Sequence, residues 1–420
     1  MLSRDLALLI VISLAIRLPW GMLQPTDPKS LQDQLPDQWE YLTLGYNLLH
    51  EGRLAFVDPR FNDEVHVFRM PGYPAFVAAL GASPRAVRVG QALLDAATGI
   101  AVYLLARRLV RRRQGEDQPP PNFPLMAGLL VAVNPWLIYF SGLILSETLF
   151  TAFLVWGMAL PIVGRGRWWA WGSGIGLLAL SVLVRPSVIL LVPLMAMGAA
   201  WVNSRLGDPY QSHQPRPRRQ IAAAALASTA AVVLALLPWA IRNATHPQVD
   251  AWIWTTTNAG FTSYDGLHLG ATGASDQSFI AQMPQLQAMN EVERSAYLGE
   301  LARQSALADP GRVARLAAVK AARTWSPIPL SDQFGQLKYI LPGLAFTVPF
   351  FGLVIVGLAG SRLSRPAKLY LLLPAVYLTL IHAVSVGSAR YRIPAEAPMA
   401  VIAVAGVWAI VPRRSTPPAA

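Results

Sequence analysis

The stretch IAAAALASTAAVVLALLPWA, Ile221–Ala240, decides how the rest of this chain is read. Twenty residues pass without a charge, which is the length an α-helix needs to cross the roughly 30 Å hydrocarbon layer of a bilayer. Arg216, Arg218 and Arg219 precede it and Arg242 follows it, so charge begins where the apolar run stops. Working outward from this run, a scan for similar stretches gives about ten candidate spans: 6–23, 86–106, 123–140, 143–163, 168–184, 187–202, 221–240, 341–360, 369–387 and 394–412. Composition agrees. Of 420 residues, 54 % are hydrophobic and 14 % charged, against ~25 % charged in ordinary globular domains. A soluble or a disordered chain is excluded, and the expected class is an all-α polytopic membrane protein.

The net charge of +12 first suggests an anionic partner such as nucleic acid. Sorting the charges by loop removes that reading. With the N-terminus in the cytoplasm, the inner pieces carry Arg4; Arg107, Arg108, Arg111, Arg112 and Arg113; Arg165 and Arg167; Arg205, Arg216, Arg218 and Arg219; Arg362, Arg365 and Lys368; and Arg413 and Arg414. Every inner piece has at least one, as the positive-inside bias requires. No small-residue cleavage site follows Trp20-Gly21-Met22-Leu23, so the first span is expected to stay as an uncleaved anchor. There is no cysteine, which excludes disulfides and thiol chemistry.

This arrangement divides the chain into a transmembrane module 1–241, with a long first outer loop 24–85; an extracytoplasmic segment 242–340; and a C-terminal set of helices 341–420. In the outer segment, Trp252 to Asp276 is rich in Thr, Gly, Asn and Asp and reads as turns. From about Leu286 to Thr324 the spacing is helical, divided by Asp309-Pro310-Gly311. Val313, Leu316, Ala317, Lys320 and Arg323 form an amphipathic face expected to lie along the membrane surface. The Pro/Arg-rich stretch 208–219 reads as a cytoplasmic linker, and Gly172-Ser173-Gly174-Ile175-Gly176 as close helix packing.

Charge at a membrane border that topology does not explain is where function is sought. On the outer side these residues are Arg17, Asp37, Glu40, Arg69, Glu147, Arg185, Arg242, Arg390 and Arg392. Asp37 opens a helical run, Tyr41, Leu44, Leu48 and Leu49, that stops at Gly52; it reads as a helix cap or as a reactive carboxylate. Arg69-Met70-Pro71-Gly72-Tyr73-Pro74 forces irregular backbone at the membrane border, and its arginine reads as a phosphate ligand or a lipid-headgroup contact. Arg390-Tyr391-Arg392 reads as an anion clamp or as snorkelling side chains. Glu147 reads as a helix-start acid or a site member. The histidines show no zinc spacing, and there is no phosphate-binding P-loop.

These motifs run in order along nearly the whole chain: Asp37-Gln38-Trp39-Glu40-Tyr41 with Asn47-Leu48-Leu49-His50-Glu51-Gly52, Arg69-Met70-Pro71-Gly72-Tyr73-Pro74, Asn134-Pro135, Leu145-Ser146-Glu147, Arg185-Pro186, Pro238-Trp239-Ala240-Ile241-Arg242-Asn243 and Ala389-Arg390-Tyr391-Arg392-Ile393-Pro394. In that order they resemble the polyprenyl-phosphate-sugar-dependent glycosyltransferases of the C-type membrane superfamily, in particular bacterial proteins similar to dolichyl-phosphate-mannose–protein mannosyltransferases and to lipid A aminoarabinose transferase. The resemblance implies short membrane-lying helices in the first outer loop and an inverting sugar transfer with Asp37 as general base. It implies that Arg69, Arg390 and Arg392 hold the donor phosphate, with Glu40, Tyr41, Tyr73, Glu147, Arg185, Arg242 and Tyr391 supporting or binding substrate. The implied partners are a polyprenyl-phosphate sugar, the bilayer, and a lipid, glycan or protein acceptor, with no nucleic acid. The implied place is the inner (cytoplasmic) membrane, with cytoplasmic termini and a site facing the periplasm or exterior. Relatives carry a second acid directly after the catalytic one and another before the basic residue of the proline motif; here those places hold Gln38 and Phe68. A divalent metal is therefore left open, with Asp63 or Glu64 as substitute carboxylates. A transporter or flippase of lipid-linked saccharides, and a non-catalytic sugar-lipid-binding scaffold, are the competing readings.

Overall fold

The computed structural model describes residues 2–110, 120–206, 217–330, 335–361 and 363–410. Of the basic residues assigned above to inner loops, Arg111, Arg112, Arg113, Arg216, Arg362, Arg413 and Arg414 lie outside the described residues, as does most of the 208–219 linker.

Every apolar run of the sequence is a helix. The spans are α1 (Leu2–Met22), α5 (Pro84–Leu109), the pair α6 (Phe123–Ala132) and α7 (Pro135–Ser141), α8 (Glu147–Val163), α9 (Trp168–Val182), α10 (Leu191–Leu206), α11 (Pro217–Thr245), α15 (Leu337–Gly360), α16 (Arg365–Val384) and α17 (Ile393–Ile410). Among the described residues six helices are long and apolar enough to cross a membrane, or seven when the α6–α7 pair is taken as one bent span. The other three expected spans are the shorter helices α8, α9 and α10. Helices α8, α9 and α10 have 17, 15 and 16 residues, about 23–26 Å at 1.5 Å per residue, short of a ~30 Å core. The chain is an all-α, multi-pass membrane protein.

Helix α17 is the axis of the bundle. All residues from Ile393 to Gly406 are buried, whereas most of α1, α11 and α15 is left open as helices that face lipid can be. Helices α15 and α17 approach backbone to backbone: a Cβ on Gly357 would stand 2.1 Å from the Ile402 carbonyl oxygen, and one on Gly406 would stand 2.1 Å from that of Leu353. Of the glycine run in α9, Gly174 packs against Pro161 and Gly157 of α8, while Gly172 and Gly176 meet nothing.

The α6–α7 pair bends by 48°, and its freed backbone groups are satisfied by side chains, as non-helical backbone at membrane depth requires. Arg17 donates to the Ala132 oxygen (2.6 Å) and the Val131 oxygen (3.0 Å) while its Nε bonds Asp95 at 2.8 Å. Asn134 accepts from the Trp136 and Leu137 N–H groups beyond the bend.

The first outer loop forms α2 (Pro28–Gln34), α3 (Pro36–Glu51) and α4 (Gly72–Ala79). A small hairpin, β1 (Phe56–Asp58) paired antiparallel to β2 (Asp63–Val65), lies between α3 and α4. Helix α3 ends as expected at Gly52, whose φ of 67° is the left-handed conformation glycine adopts without strain. The outer segment forms α12 (Asn258–Leu267), α13 (Glu291–Ala308) and α14 (Pro310–Thr324).

Two expectations for the outer segment are corrected. Helix α12 stands inside the stretch read as turns. Its glycines are there for close contact: a Cβ on Gly260 would lie 2.1 Å from the Ser295 oxygen, and one on Gly266 would lie 2.0 Å from the Ser385 oxygen. Helix α14 was expected to rest on the membrane surface by its Leu316–Lys320 face, but Leu316, Lys320 and Thr324 are buried. Helix α14 packs on α16, and Lys320 Nζ donates to the Val384 oxygen at 3.1 Å.

Candidate functional site

Asp37 is the second residue of α3, where the free N–H groups of a helix start favour a carboxylate. It does not serve as the cap, since Leu35 holds that place with no side-chain capping bond. Its two oxygens go elsewhere. Oδ1 accepts from Arg69 Nη2 at 2.7 Å and Oδ2 from Arg390 Nη1 at 2.8 Å. Each arginine is held on its other edge by a second carboxylate. Arg69 Nε bonds Glu40 at 2.7 Å, and its Nη2 also meets Glu40. Arg390 Nε meets Glu147, whose same oxygen takes Arg185 Nη2 at 2.7 Å. Arg185 Nε also bonds the Ser146 hydroxyl at 3.2 Å. Three carboxylates and three guanidiniums thus form one chain of ion pairs, Glu40–Arg69–Asp37–Arg390–Glu147–Arg185.

The structure therefore brings together five residues of the sequence expectation around Asp37. Glu147 is 1 % exposed at its side chain, while Asp37 at 28 % is the most open carboxylate of the group. Burial pushes the Asp37 carboxyl up, but Arg69 and Arg390 more than offset it and hold it well below the usual carboxylate range. Glu40 moves the other way. Its burial, added to by the Asp37 charge, outweighs Arg69 and raises it.

Aromatic rings wall the arginines. Arg69 lies 5.3 Å from the Tyr41 ring centroid and 5.2 Å from that of Phe68, and Tyr41 meets Tyr73 edge-on at 4.8 Å. Phe68 is thus a packing partner of Arg69. The Arg69 loop is tied to the Arg185 loop at one point, where the Gly72 N–H donates to the Leu183 oxygen at 2.9 Å.

Three expected residues make their contacts outside the chain of ion pairs. Arg392 was expected beside Arg390 in the phosphate clamp. The two lie in the 3-10 turn Ala389–Arg392, where residues two apart point in divergent directions at three per turn. Arg392 turns inward, is 0 % exposed at its side chain and bonds Glu396 at 2.6 Å. It also bonds the Thr324 and Ser326 oxygens at 3.0 and 2.6 Å, and so fastens the end of α14 to α17. Arg242 donates to the His66 oxygen at 3.1 Å and holds the strand that leads to Arg69. Tyr391 stacks flat on His382, with ring centroids 3.7 Å apart.

The residues offered for a metal do not fit one. Gln38 is buried, with its Oε1 accepting from the Ile144 N–H at 3.0 Å and its Nε2 donating to Gln34 at 2.9 Å. Asp63 pairs with Arg294 at 2.9 Å and Glu64 with Arg53 at 2.9 Å. Among the described residues no group of three His, Asp or Glu side chains is placed to hold a metal ion.

The sequence reading missed what positions Glu147. Between α7 and α8 the backbone of residues 142–146 is not helical, and its polar groups are served by a stripe on α5. Arg88 donates to the Gly142 oxygen at 2.8 Å, and Gln91 to the Ser141 and Leu143 oxygens at 2.8 and 2.7 Å. Gln91 also accepts from the Tyr73 hydroxyl at 2.6 Å. The signal was present: Arg88, Gln91 and Asp95 share one face of an otherwise apolar helix at spacings of three and four.

An open apolar groove of ≈ 300 Å³ runs between α10 and α11, lined by residues that include Ile189, Leu190, Pro193, Val232, Leu236 and Trp254. It begins four residues after Arg185 in the chain.

No family model matches the chain, and no curated protein matches it. Among solved structures it is similar to ArnT from Cupriavidus metallidurans in a crystal bound to undecaprenyl phosphate. The two are 13 % identical, and the match covers 97 % of this chain and 78 % of that one at a TM-score of 0.36. A likeness this loose carries no argument about what the chain does.

Proposed function

We propose that this protein is an inverting membrane glycosyltransferase that moves a sugar from a polyprenyl-phosphate donor to an acceptor hydroxyl, with Asp37 as general base. The observation that carries this reading is the Asp37 carboxylate at the mouth of a cluster, flanked by guanidiniums from two distant parts of the chain. A single-charged lipid phosphate needs guanidinium donors at the membrane border, and an acceptor hydroxyl needs a carboxylate beside them.

In this reading the phosphate lies against Arg69 and Arg390, with Arg185 behind them, and the lipid tail follows the α10–α11 groove. The acceptor oxygen attacks the anomeric carbon while the bond from that carbon to the phosphate oxygen breaks. The bonding electrons leave with the phosphate, and the hydroxyl proton passes to the Asp37 carboxylate. General-base help of this kind is typically worth 10²–10⁴ in rate, and the arginines offset charge that grows on the departing phosphate. The site would face the periplasm or exterior from the inner membrane, and the segment 242–340 would choose the acceptor.

The test is transfer from radiolabelled polyprenyl-phosphate sugars to membrane extracts, by the purified protein and by Asp37→Asn. Transfer by the parent, with at least a hundredfold loss in the variant, is the expected result. Equal transfer by both removes Asp37 as the base. Movement of the lipid across vesicles without transfer gives the transporter reading instead.

A further inference from the structure

Asp37 as a base presents a difficulty that its own contacts create. Both oxygens are occupied by guanidiniums, and a carboxylate so bonded takes a proton poorly. The same two arginines are the ones offered to the donor phosphate, because a guanidinium fork suits a carboxylate and a phosphate alike. Both demands cannot be met in one state of the site.

We propose that Asp37 and the donor phosphate compete for Arg69 and Arg390, so that arrival of the lipid releases Asp37 to act as base. The proposal rests on the glycosyl-transfer reading and concerns how that site is switched on. Three features support it. Each arginine keeps a second carboxylate when Asp37 lets go: Glu40 holds Arg69 by Nε and Glu147 holds Arg390 by Nε, so each guanidinium turns about a fixed edge. Glu147 also bonds Arg185, which fixes the far end of the chain of ion pairs. Asp37 itself is the open end, at 28 % side-chain exposure. The charged groups that face Asp37 are Glu40 on its own helix, Arg69 on the loop before α4, Arg185 beyond α9, and Arg390 ahead of α17, while Tyr41 and Tyr391 lie near the arginines. Of these, only Asp37 and Glu40 are carboxylates: Arg69 and Arg390 hold Asp37 ionised well below its usual range, and burial raises Glu40.

Competition predicts that removing the base tightens the binding of phosphate. The probe is polyprenyl methyl phosphate, a diester with one fixed charge and no sugar to transfer, titrated into the full-length protein in nanodiscs. At pH 7 the expected result is binding by Asp37→Asn about tenfold tighter than by the parent, equivalent to ~1.4 kcal/mol. Equal or weaker binding by Asp37→Asn, with the parent still transferring sugar, overturns the competition and leaves the transferase reading intact. Failure of the parent to bind the diester overturns both.

The parent provides a second measurement that does not depend on a variant folding. Binding that raises the proton affinity of Asp37 must itself strengthen as pH falls. Parent affinity is expected to rise as pH falls from about 5 toward 3, through the ordinary aspartate value of about 3.9 toward which release returns Asp37. The slope is kept in Glu40→Gln and lost in Asp37→Asn. A flat parent profile, or a slope lost with Glu40, overturns the proposal.

Discussion

Glu147 shows what a single buried side chain has to do in this protein. One of its oxygens takes both Arg185 and Arg390, and its side chain is 1 % exposed. Without that charge two guanidiniums would face each other in a low-dielectric setting. Breaking a buried pair in this way typically costs ~3–5 kcal/mol. Glu147→Gln is therefore expected to lower thermal unfolding in detergent by several degrees and to abolish sugar transfer. The double variant Glu147→Gln/Arg185→Met should lose less stability than the two single losses added together. Strict additivity in that cycle would mean that the pair is not coupled. Arg392 makes the opposite point. It is as basic as Arg390 and two residues away, yet it is spent on Glu396 and two carbonyl oxygens inside the bundle. Residue type at a membrane border does not by itself tell a ligand from a fastener.

At the scale of elements, the site is a meeting of segment ends. Helix α3 brings Asp37 and Glu40, the loop before α4 brings Arg69, the start of α8 brings Glu147, the end of α9 leads to Arg185, and the turn before α17 brings Arg390. What keeps these ends in register is backbone contact. A Cβ on Gly72 would stand 2.7 Å from the Leu183 oxygen, a backbone atom that cannot swing aside. Gly72→Ala is expected to push the Arg69 loop away from Arg185, at a stability cost of ~1–3 kcal/mol for overpacking. Transfer should fall by about tenfold or more, since small misplacements of reacting groups are costly. Unchanged kcat/KM in a folded Gly72→Ala protein would show that the contact does not set the geometry. Pro71 and Gly72 were legible as irregular backbone; the partner they were shaped for was not.

For the molecule as a whole, charge is sorted by end. Among the described residues, Arg108 at the end of α5 bonds the Ile162 oxygen and Lys368 at the start of α16 bonds the Leu358 oxygen, at helix ends away from the Asp37 cluster. Helices α12, α13 and α14 join the cluster's end, through the Thr257 N–H on the Val67 oxygen, Glu291 on the His66 N–H, and Thr324 beside Arg392. A reporter inserted near Tyr264 is expected to lie outside the cytoplasm, and one in the Arg165–Arg167 turn inside it. Both reporters on one side of the membrane would break the topology and the mechanism with it.

Sequence alone determined the class, the apolar helices, and the sorting of charge between loops, because each depends on neighbours in the chain. Apolar length sets insertion, helical period sets the face, and Gly52 or Asp309-Pro310-Gly311 sets an end locally. It also marked Asp37, Arg69, Glu147, Arg185 and Arg390 as charges in need of a reason. Only the tertiary structure decided their pairing. The bonds of the cluster join residues 32, 243 and 353 positions apart, and no spacing along the chain encodes a contact made across that distance. For the same reason α12 read as turns and Arg392 as a ligand. The small residues of the one and the charge of the other answer to partners that come from elsewhere in the chain, and burial against those partners outweighs local propensity.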